Sequence, residues 1–388
     1  MNRGLSKCFN IADLQSLAKR RLPRALYDYI DGTAEEGVSG KANRTSFDRY
    51  QLVARTLVDV SEIDCSISLF GQRMNSPIIL CPTAFTRAFH HHGETAVAKA
   101  ANEAGLIYTL STVSNTSLED VAKIDGPRWF QIYVYKDRAL VKDLIERCKL
   151  AKYQALILTV DASTPGNREH DLRNGLTVPP KPSLSTILDA VKHPFWCWHM
   201  LTSPTITTAN VKGDSALDAS DTKALLKYMH DQLDVSVGWD DVAWMMEQWK
   251  GPFLIKGILS VEDARRAADL GVHGIVVSNH GGRQLDHVPA TLDVLPDIVA
   301  AVGDRCEIIV DSGFRRGTDI IKALAMGAKA CMIGRPYLYG LAAGGEDGVR
   351  KSLRILDEEL KRNMRLLGRT SVSQLDKACL RLLKQSVN

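Results

Sequence analysis

Short apolar runs, many of them β-branched, recur along the chain, and most are followed by an amphipathic stretch such as GETAVAKAANEAG or SVEDARRAADLG. The pattern predicts eight strands: PIILCPT (77–83), IYTLST (107–112), WFQIYV (129–134), ALILTVD (155–161), FLIKG (253–257), GIVVSN (274–279), EIIVDSG (307–313) and ACMIGR (330–335). These runs are continuous rather than alternating, so each strand is expected to be covered on both faces, as in a parallel sheet. Eight βα units of this kind close most naturally into a (β/α)8 barrel of the TIM type. A doubly wound open sheet is the rival. Against it, no strand leads into a G-x-G-x-x-G turn, and chemically useful residues stand at the end of nearly every run.

One interval breaks the rhythm. More than 90 residues separate Asp161 from Phe253, far beyond an ordinary βα connection, so a long insertion after strand four is expected at about 176–236. Residues 1–70 read as a mostly helical prelude, and EDGVRKSLRILDEELKRNMRLLG as a helix lying on the barrel wall. The whole of 1–388 is then one domain, with its barrel at about 77–345.

Composition narrows the class. The chain is 45% hydrophobic and 24% charged, as a globular protein is, and a formal charge of +4 of mixed sign without a polybasic run argues against a nucleic-acid partner. The opening MNRGLSKCFNIADL has neither the apolar core nor the small-residue cleavage site of an export signal, and no apolar segment approaches the roughly 18 residues that span a bilayer, so a cytoplasmic location is expected. Cysteines at 8, 65, 81, 148, 197, 306, 331 and 379 show no C-x-x-C spacing and read as buried reduced thiols, with no zinc site.

In a barrel the strand ends converge on one face, which gathers Thr83, Ser111, Gln131, Tyr133, Thr159, Asp161, Lys256, His280 and Arg283. Two further loops, DSGFRRG (311–317) and IGRP (333–336), place glycine amides and arginines where barrels commonly hold a phosphate, and Arg335 would neutralise it. An ordinary tight turn with a surface arginine is the bland alternative. Lys256 leaves the barrel interior and needs an anionic partner; a Schiff-base lysine is the sharper alternative. His280 alone is compatible with a strand-end histidine satisfying carbonyls. In SNHGGRQLD, however, Gly281 and Gly282 let the chain reverse, so that Arg283 faces the same cavity as a fork for a carboxylate beside a base. Asp161, from the opposite wall, would stabilise the imidazolium formed when His280 takes a proton. GNREHDLRNG adds Arg168 as a second clamp, with Arg173 and Asp171 expected in loop salt bridges. In HHHGE (90–94), three adjacent histidines are not expected to face one ion, and a polar loop is the expectation.

With these motifs in order, the chain resembles the FMN-dependent (S)-2-hydroxy acid dehydrogenases and oxidases. The likeness runs from LPRALYDYIDGTAEEG to the final helices, through PTAF, STVSNTS, WFQIYV, LTVDA, IKGILSVEDA, SNHGGRQLD and DSGFRRGTDIIKALAMGA. The resemblance implies that Tyr29 and Tyr133 bind substrate, Arg168 and Arg283 hold its carboxylate, and His280 is the base paired with Asp161. It implies that Thr83, Ala84, Ser111, Gln131, Thr159, Lys256 and Ser278 contact the flavin ring or ribityl chain, and that Asp311, Gly313, Arg315, Gly334 and Arg335 complete the phosphate end. It also implies FMN as cofactor, no metal, and a homotetramer.

Where glycolate oxidases of this family carry a tryptophan over the substrate, this chain has Val113, so L-lactate or (S)-mandelate type substrates are expected ahead of glycolate. The insertion contains LSTILDAVKHPFWCWHMLTS, in which Phe195, Trp196 and Trp198 stand beside Lys192, His193 and His199. That is the composition of a segment lying in a membrane interface, although a lid or subunit contact would use it too. The membrane-bound dehydrogenases of the family have a long segment here with a similar HPxW element. The expectation is therefore a peripheral enzyme on the cytoplasmic side of the inner membrane that passes electrons to a quinone. The alternatives are a soluble oxidase that produces hydrogen peroxide and, in a different class, a non-catalytic barrel that binds a phosphorylated ligand.

Overall fold

The computed structural model describes residues 4–176, 181, 183–211 and 231–383. Eight strands form a closed barrel: β1 (Ile78–Leu80), β2 (Ile107–Ser111), β3 (Arg128–Ile132), β4 (Ala155–Thr159), β5 (Phe253–Ile258), β6 (Gly274–Val277), β7 (Glu307–Val310) and β8 (Ala330–Ile333). Every neighbouring pair is parallel, and Met332 opposite Ile79 closes the ring between β8 and β1, which disposes of the open sheet. Nearly all strand residues are buried, because one face meets the barrel interior and the other meets helices such as Gly93–Ala104, Val261–Asp269 and Gly317–Ala325.

The strands end earlier than the apolar runs suggest. β1 stops at Leu80, β4 at Thr159, β6 at Val277 and β7 at Val310, so Thr83, Asp161, His280 and Gly313 stand on loops just past the ladder. β5 carries an irregularity between Lys256 and Ile258, where Gly257 has φ +112 and a Cβ would come within 2.7 Å of the Asp161 side chain. Only glycine lets the two strand ends approach so closely.

The prelude is helical as expected to Arg49, with helices Ile11–Arg21, Arg24–Asp31 and Val38–Thr45. Beyond it, Tyr50–Leu52 pairs antiparallel with Leu380–Leu382, and Ile67–Leu69 with Gln72–Met74. The charged C-terminal helix is part of a longer element, Arg335–Leu367, broken at Gly344 and Gly345 and packed against Ile11–Arg21 and Gly93–Ala104.

The insertion leaves after β4 and contains helices Leu184–Val191 and Pro194–Thr202 before helix Trp239–Trp249 returns to the wall. Of its expected span, 177–180, 182 and 212–230 lie outside the described residues. Trp196 Nε1 donates to Ala88 O at 2.8 Å, and Asp189 Oδ2 accepts the Arg24 N–H at 2.6 Å, so both helices are tied to the body of the protein. No described helix is long and apolar enough to cross a membrane.

Candidate active site

A cavity of about 320 Å³ opens at the C-terminal ends of the strands. Every residue expected to act in catalysis, substrate binding or cofactor binding lines it except Asp161 and Ser278, which stand one layer behind. Their position follows from their partners. Asp161 Oδ1 lies 3.0 Å from His280 Nδ1, while Ser278 Oγ accepts from Lys256 Nζ at 2.8 Å and from the His280 N–H at 3.0 Å.

His280 has φ +56, a left-handed conformation that lifts its ring out of the β6 direction. Gly281 and Gly282 continue the turn at φ +70 and +73. A Cβ on Gly282 would sit 2.5 Å from the Gly40 nitrogen, so the turn closes directly on the prelude. Asn279 pins it as well, exchanging hydrogen bonds of 2.8 Å with Asn43.

Arg283 emerges from this turn under the prelude. Its Nη1 donates to Tyr29 O at 2.7 Å and Gly32 O at 3.0 Å, and its guanidinium lies 5.0 Å from the Tyr29 ring centroid. Arg168 lies over the same ring at 5.8 Å and bonds Asp171 at 2.7 Å through Nε. Asp171 thus pairs with Arg168, and Arg173 with Glu169. Burial, reinforced by Arg168, pulls the Arg283 pKa down to about 10. Two cations crowd one small region, so the site favours an anion.

The opposite wall carries the reverse balance. Burial opposes the Lys256 ammonium, yet Asp311 at 3.1 Å and Asp161 outweigh it and raise its pKa. Burial likewise pushes Asp161 up, but His280 and Lys256 outweigh it and leave the carboxyl below its ordinary range. Burial and then Asp161 push Tyr133 up to about 12. Asp161 is therefore an anion fixed behind an imidazole, and Lys256 a permanent cation in the cavity floor.

At the loops after β7 and β8, Gly313 has φ +87 and Arg315 hydrogen-bonds the Phe314 carbonyl at 2.8 Å. Arg335 lines the cavity, yet its Nε, Nη1 and Nη2 donate to the carbonyls of Ile30, Gly281 and Gly32. In this structure it also ties the prelude to the histidine loop.

Several cavity residues carried no signal in the sequence. Cys81 places Sγ 3.8 Å from Asp311 Oδ2; Ser312 Oγ donates to Asp311 at 2.7 Å and accepts the Gly281 N–H at 3.0 Å. Phe89 reaches the cavity from the short helix Thr86–Phe89 after β1 and Leu233 from the insertion's return, which only the tertiary fold brings together.

The model of the FMN-dependent dehydrogenase family matches residues 18–382. The chain belongs to this family. It is 41% identical over 372 residues to glycolate oxidase 1 of Oryza sativa subsp. indica, covering 95% of this chain and 94% of that one. It is 41% identical over 383 residues to an L-lactate oxidase of Nostoc sp., covering 97% and 99%. The crystal structure of a monotopic membrane protein, (S)-mandelate dehydrogenase, superposes with a TM-score of 0.93 at 36% identity, covering 97% of this chain and 100% of that one.

This family member is thus an FMN-dependent oxidoreductase acting on the CH–OH group of 2-hydroxy acids. The cavity fits the cofactor on its own chemistry. Gln131 Nε2 is a buried donor with no partner among the described residues, while its Oε1 accepts from Ser111 Oγ at 3.0 Å. Gly334 leaves its neighbourhood open, with nothing nearer than 3.7 Å to a Cβ. A cation, a lone amide donor and glycine-rich loops with two arginines suit a polar ring at one end and a phosphate at the other.

Proposed function

We propose that this enzyme oxidises an (S)-2-hydroxy acid of the mandelate or lactate type, the larger one favoured, to the 2-oxo acid at a membrane surface, and that a quinone receives the electrons. FMN, when bound, supplies the two-electron acceptor. His280 is the base that takes the substrate's proton, held in orientation and charge by Asp161. Arg283 and Arg168 clamp the carboxylate, and Tyr29 and Tyr133 complete the substrate site. Thr83, Ala84, Ser111, Gln131, Thr159 and Lys256 hold the flavin ring and ribityl chain, with Ser278 supporting Lys256 from behind. Asp311, Gly313, Arg315, Gly334 and Arg335 hold the phosphate end. The whole chain acts as one catalytic domain.

The observation that supports this reading best is the 3.0 Å contact of His280 with Asp161 beside a cavity that Arg283 and Arg168 also line. Val113, Phe89, Leu233 and Pro165 give the lining apolar surface suited to a phenyl or methyl group. Anaerobic addition of (S)-mandelate, L-lactate or glycolate to the purified yellow protein tests it. Rapid bleaching by mandelate or lactate is expected, and a flavin reduced by glycolate alone would overturn the substrate preference.

The membrane part rests on the insertion. Leu184, Leu188, Val191, Phe195, Trp198 and Leu201 are all exposed, whereas Trp196 turns inward to Ala88. An apolar face of this size, beside Lys192, suits the interface of a bilayer. Deleting 184–209 should move the enzyme to the soluble fraction with flavin still bound; retention on membranes would sink this part. A homotetramer belongs to the same reading and is tested by light scattering. The second reading, an oxidase that reduces oxygen to hydrogen peroxide, is favoured by the likeness to the rice and Nostoc oxidases, and peroxide yield under air without added quinone decides between them.

A further inference from the structure

Residues 90–92 turn between the short helix Thr86–Phe89 and the helix Gly93–Ala104, and the turn draws their side chains together. One ring nitrogen from each of His90, His91 and His92 lies within 4.8 Å of the other two. A fourth imidazole comes from the insertion: His199, on helix Pro194–Thr202, stacks on His91 with centroids 4.0 Å apart and planes 11° apart. Sequence spacing gave no reason to expect this, since neighbours on an extended chain point to opposite sides.

The rings are held by the surrounding structure. His90 Nδ1 accepts the His92 N–H at 3.3 Å, and the ring occupies the space over Gly345, where a Cβ would come within 2.6 Å of it. Gly345 has φ +60 and breaks the long C-terminal helix at this point. His91 Nδ1 is buried and has no hydrogen-bond partner among the described residues. Trp196, one turn before His199, fastens the insertion helix to Ala88 beside the cluster. His92 is exposed, which leaves an entry path.

The electrostatics select the kind of ligand. The three converging groups are imidazoles with no carboxylate among them, so the cluster offers nitrogen lone pairs and not anionic oxygens. The other charges bearing on them are Arg21 and Arg87, both cationic. Calcium and magnesium bind through oxygen anions and gain little here, whereas zinc or nickel bonds to neutral imidazole nitrogen.

We propose that His90, His91 and His92 form a site for one borderline divalent transition-metal ion of the zinc class, with His199 as the positioning residue that holds His91 from the insertion helix. A bound ion orders the turn that directly follows the segment whose Ala84, Phe85 and Phe89 line the active-site cavity. The proposal stands apart from the choice of substrate and electron acceptor.

The test uses tag-free, flavin-loaded enzyme freed of metal by a chelator, titrated with Zn²⁺ alone against a chromophoric competitor. One equivalent per chain with micromolar or tighter affinity is expected, together with a raised Tm. Glu36, Asp286 and His287 form the other such cluster among the described residues, so variants must locate the ion. His91→Ala should weaken binding by about a hundredfold or more, and His199→Ala by about tenfold, with the visible flavin spectrum unchanged. His199→Phe, which keeps a flat ring on His91, should restore affinity. Absence of stoichiometric Zn²⁺ binding, binding indifferent to His91→Ala, or Mg²⁺ binding equally well would overturn the site. A His199→Ala variant that binds like the parent would overturn the positioning role.

Discussion

His280 Nδ1 lies 3.0 Å from Asp161 Oδ1, although 119 residues separate the two in the chain. Because Asp161 occupies Nδ1, the other ring nitrogen is the one left to act on a substrate. Asp161→Asn keeps the shape but removes the charge that favours the imidazolium. The rate of anaerobic flavin reduction should fall by about 10²–10⁴-fold with flavin content unchanged. A stopped-flow trace within a factor of about three of the parent would contradict the pairing as a catalytic device.

The same contact predicts an acid dependence of stability. The Asp161 carboxyl titrates below its ordinary range in the folded state, held there against burial by His280 and Lys256. A depressed acid stabilises the fold above its unfolded pKa and loses that contribution as pH falls through the folded one. The Tm difference between the parent and Asp161→Asn should therefore be full near neutrality and close in the acid range. A difference that grows on acidification would reverse the sign and refute the account.

Lys256 shares its wall with Asp311 at 3.1 Å and with Asp161. Lys256→Met fills the same space but leaves buried carboxylates without their cation, which costs about 3–5 kcal/mol in comparable cases. Thermal melts should show a large loss of stability, and the purified variant should hold less flavin than the parent. Unchanged Tm and flavin content would mean that Asp311 is neutralised by another group.

Much of this arrangement was legible from residue order alone, for reasons that differ between its parts. The eight strands showed because burial on both faces removes the polar alternation that hides short strands. Their ends ran too long in the sequence because apolar residues such as Val160 continue past the last strand residue, Thr159. The histidine loop was visible through its glycines, whose φ values a larger residue resists. The prelude's role was not: Arg283 bonds the carbonyls of Tyr29 and Gly32, and backbone acceptors leave no mark in sequence. Leu233 and His199 arrive from an insertion whose path no local pattern specifies.

Arg283 performs two tasks in the structure, since its Nη1 supports the prelude while the guanidinium borders the cavity. Arg283→Lys retains a charge but not the planar fork needed for both. A loss of about 2 kcal/mol or more in kcat/KM, roughly thirtyfold, is expected, carried mainly by KM for the hydroxy acid. Kinetics matching the parent would place carboxylate binding on Arg168 alone.

Val113 sits on the cavity wall with its N–H bonded to Ser111 Oγ at 3.2 Å, so its backbone is fixed and only its side chain sets the free space there. Val113→Trp would fill the volume that a phenyl ring needs while sparing the carboxylate and the reacting carbon, which His280 and the arginines govern. kcat/KM for (S)-mandelate should drop by about a hundredfold and that for glycolate by about threefold or less, an inversion that one pocket residue can produce. The visible flavin spectrum, unchanged, would show that the cofactor site survived. Equal losses for both substrates would place the substituent of the hydroxy acid elsewhere, toward Leu233 and Pro165 on the wall that the insertion helps to build.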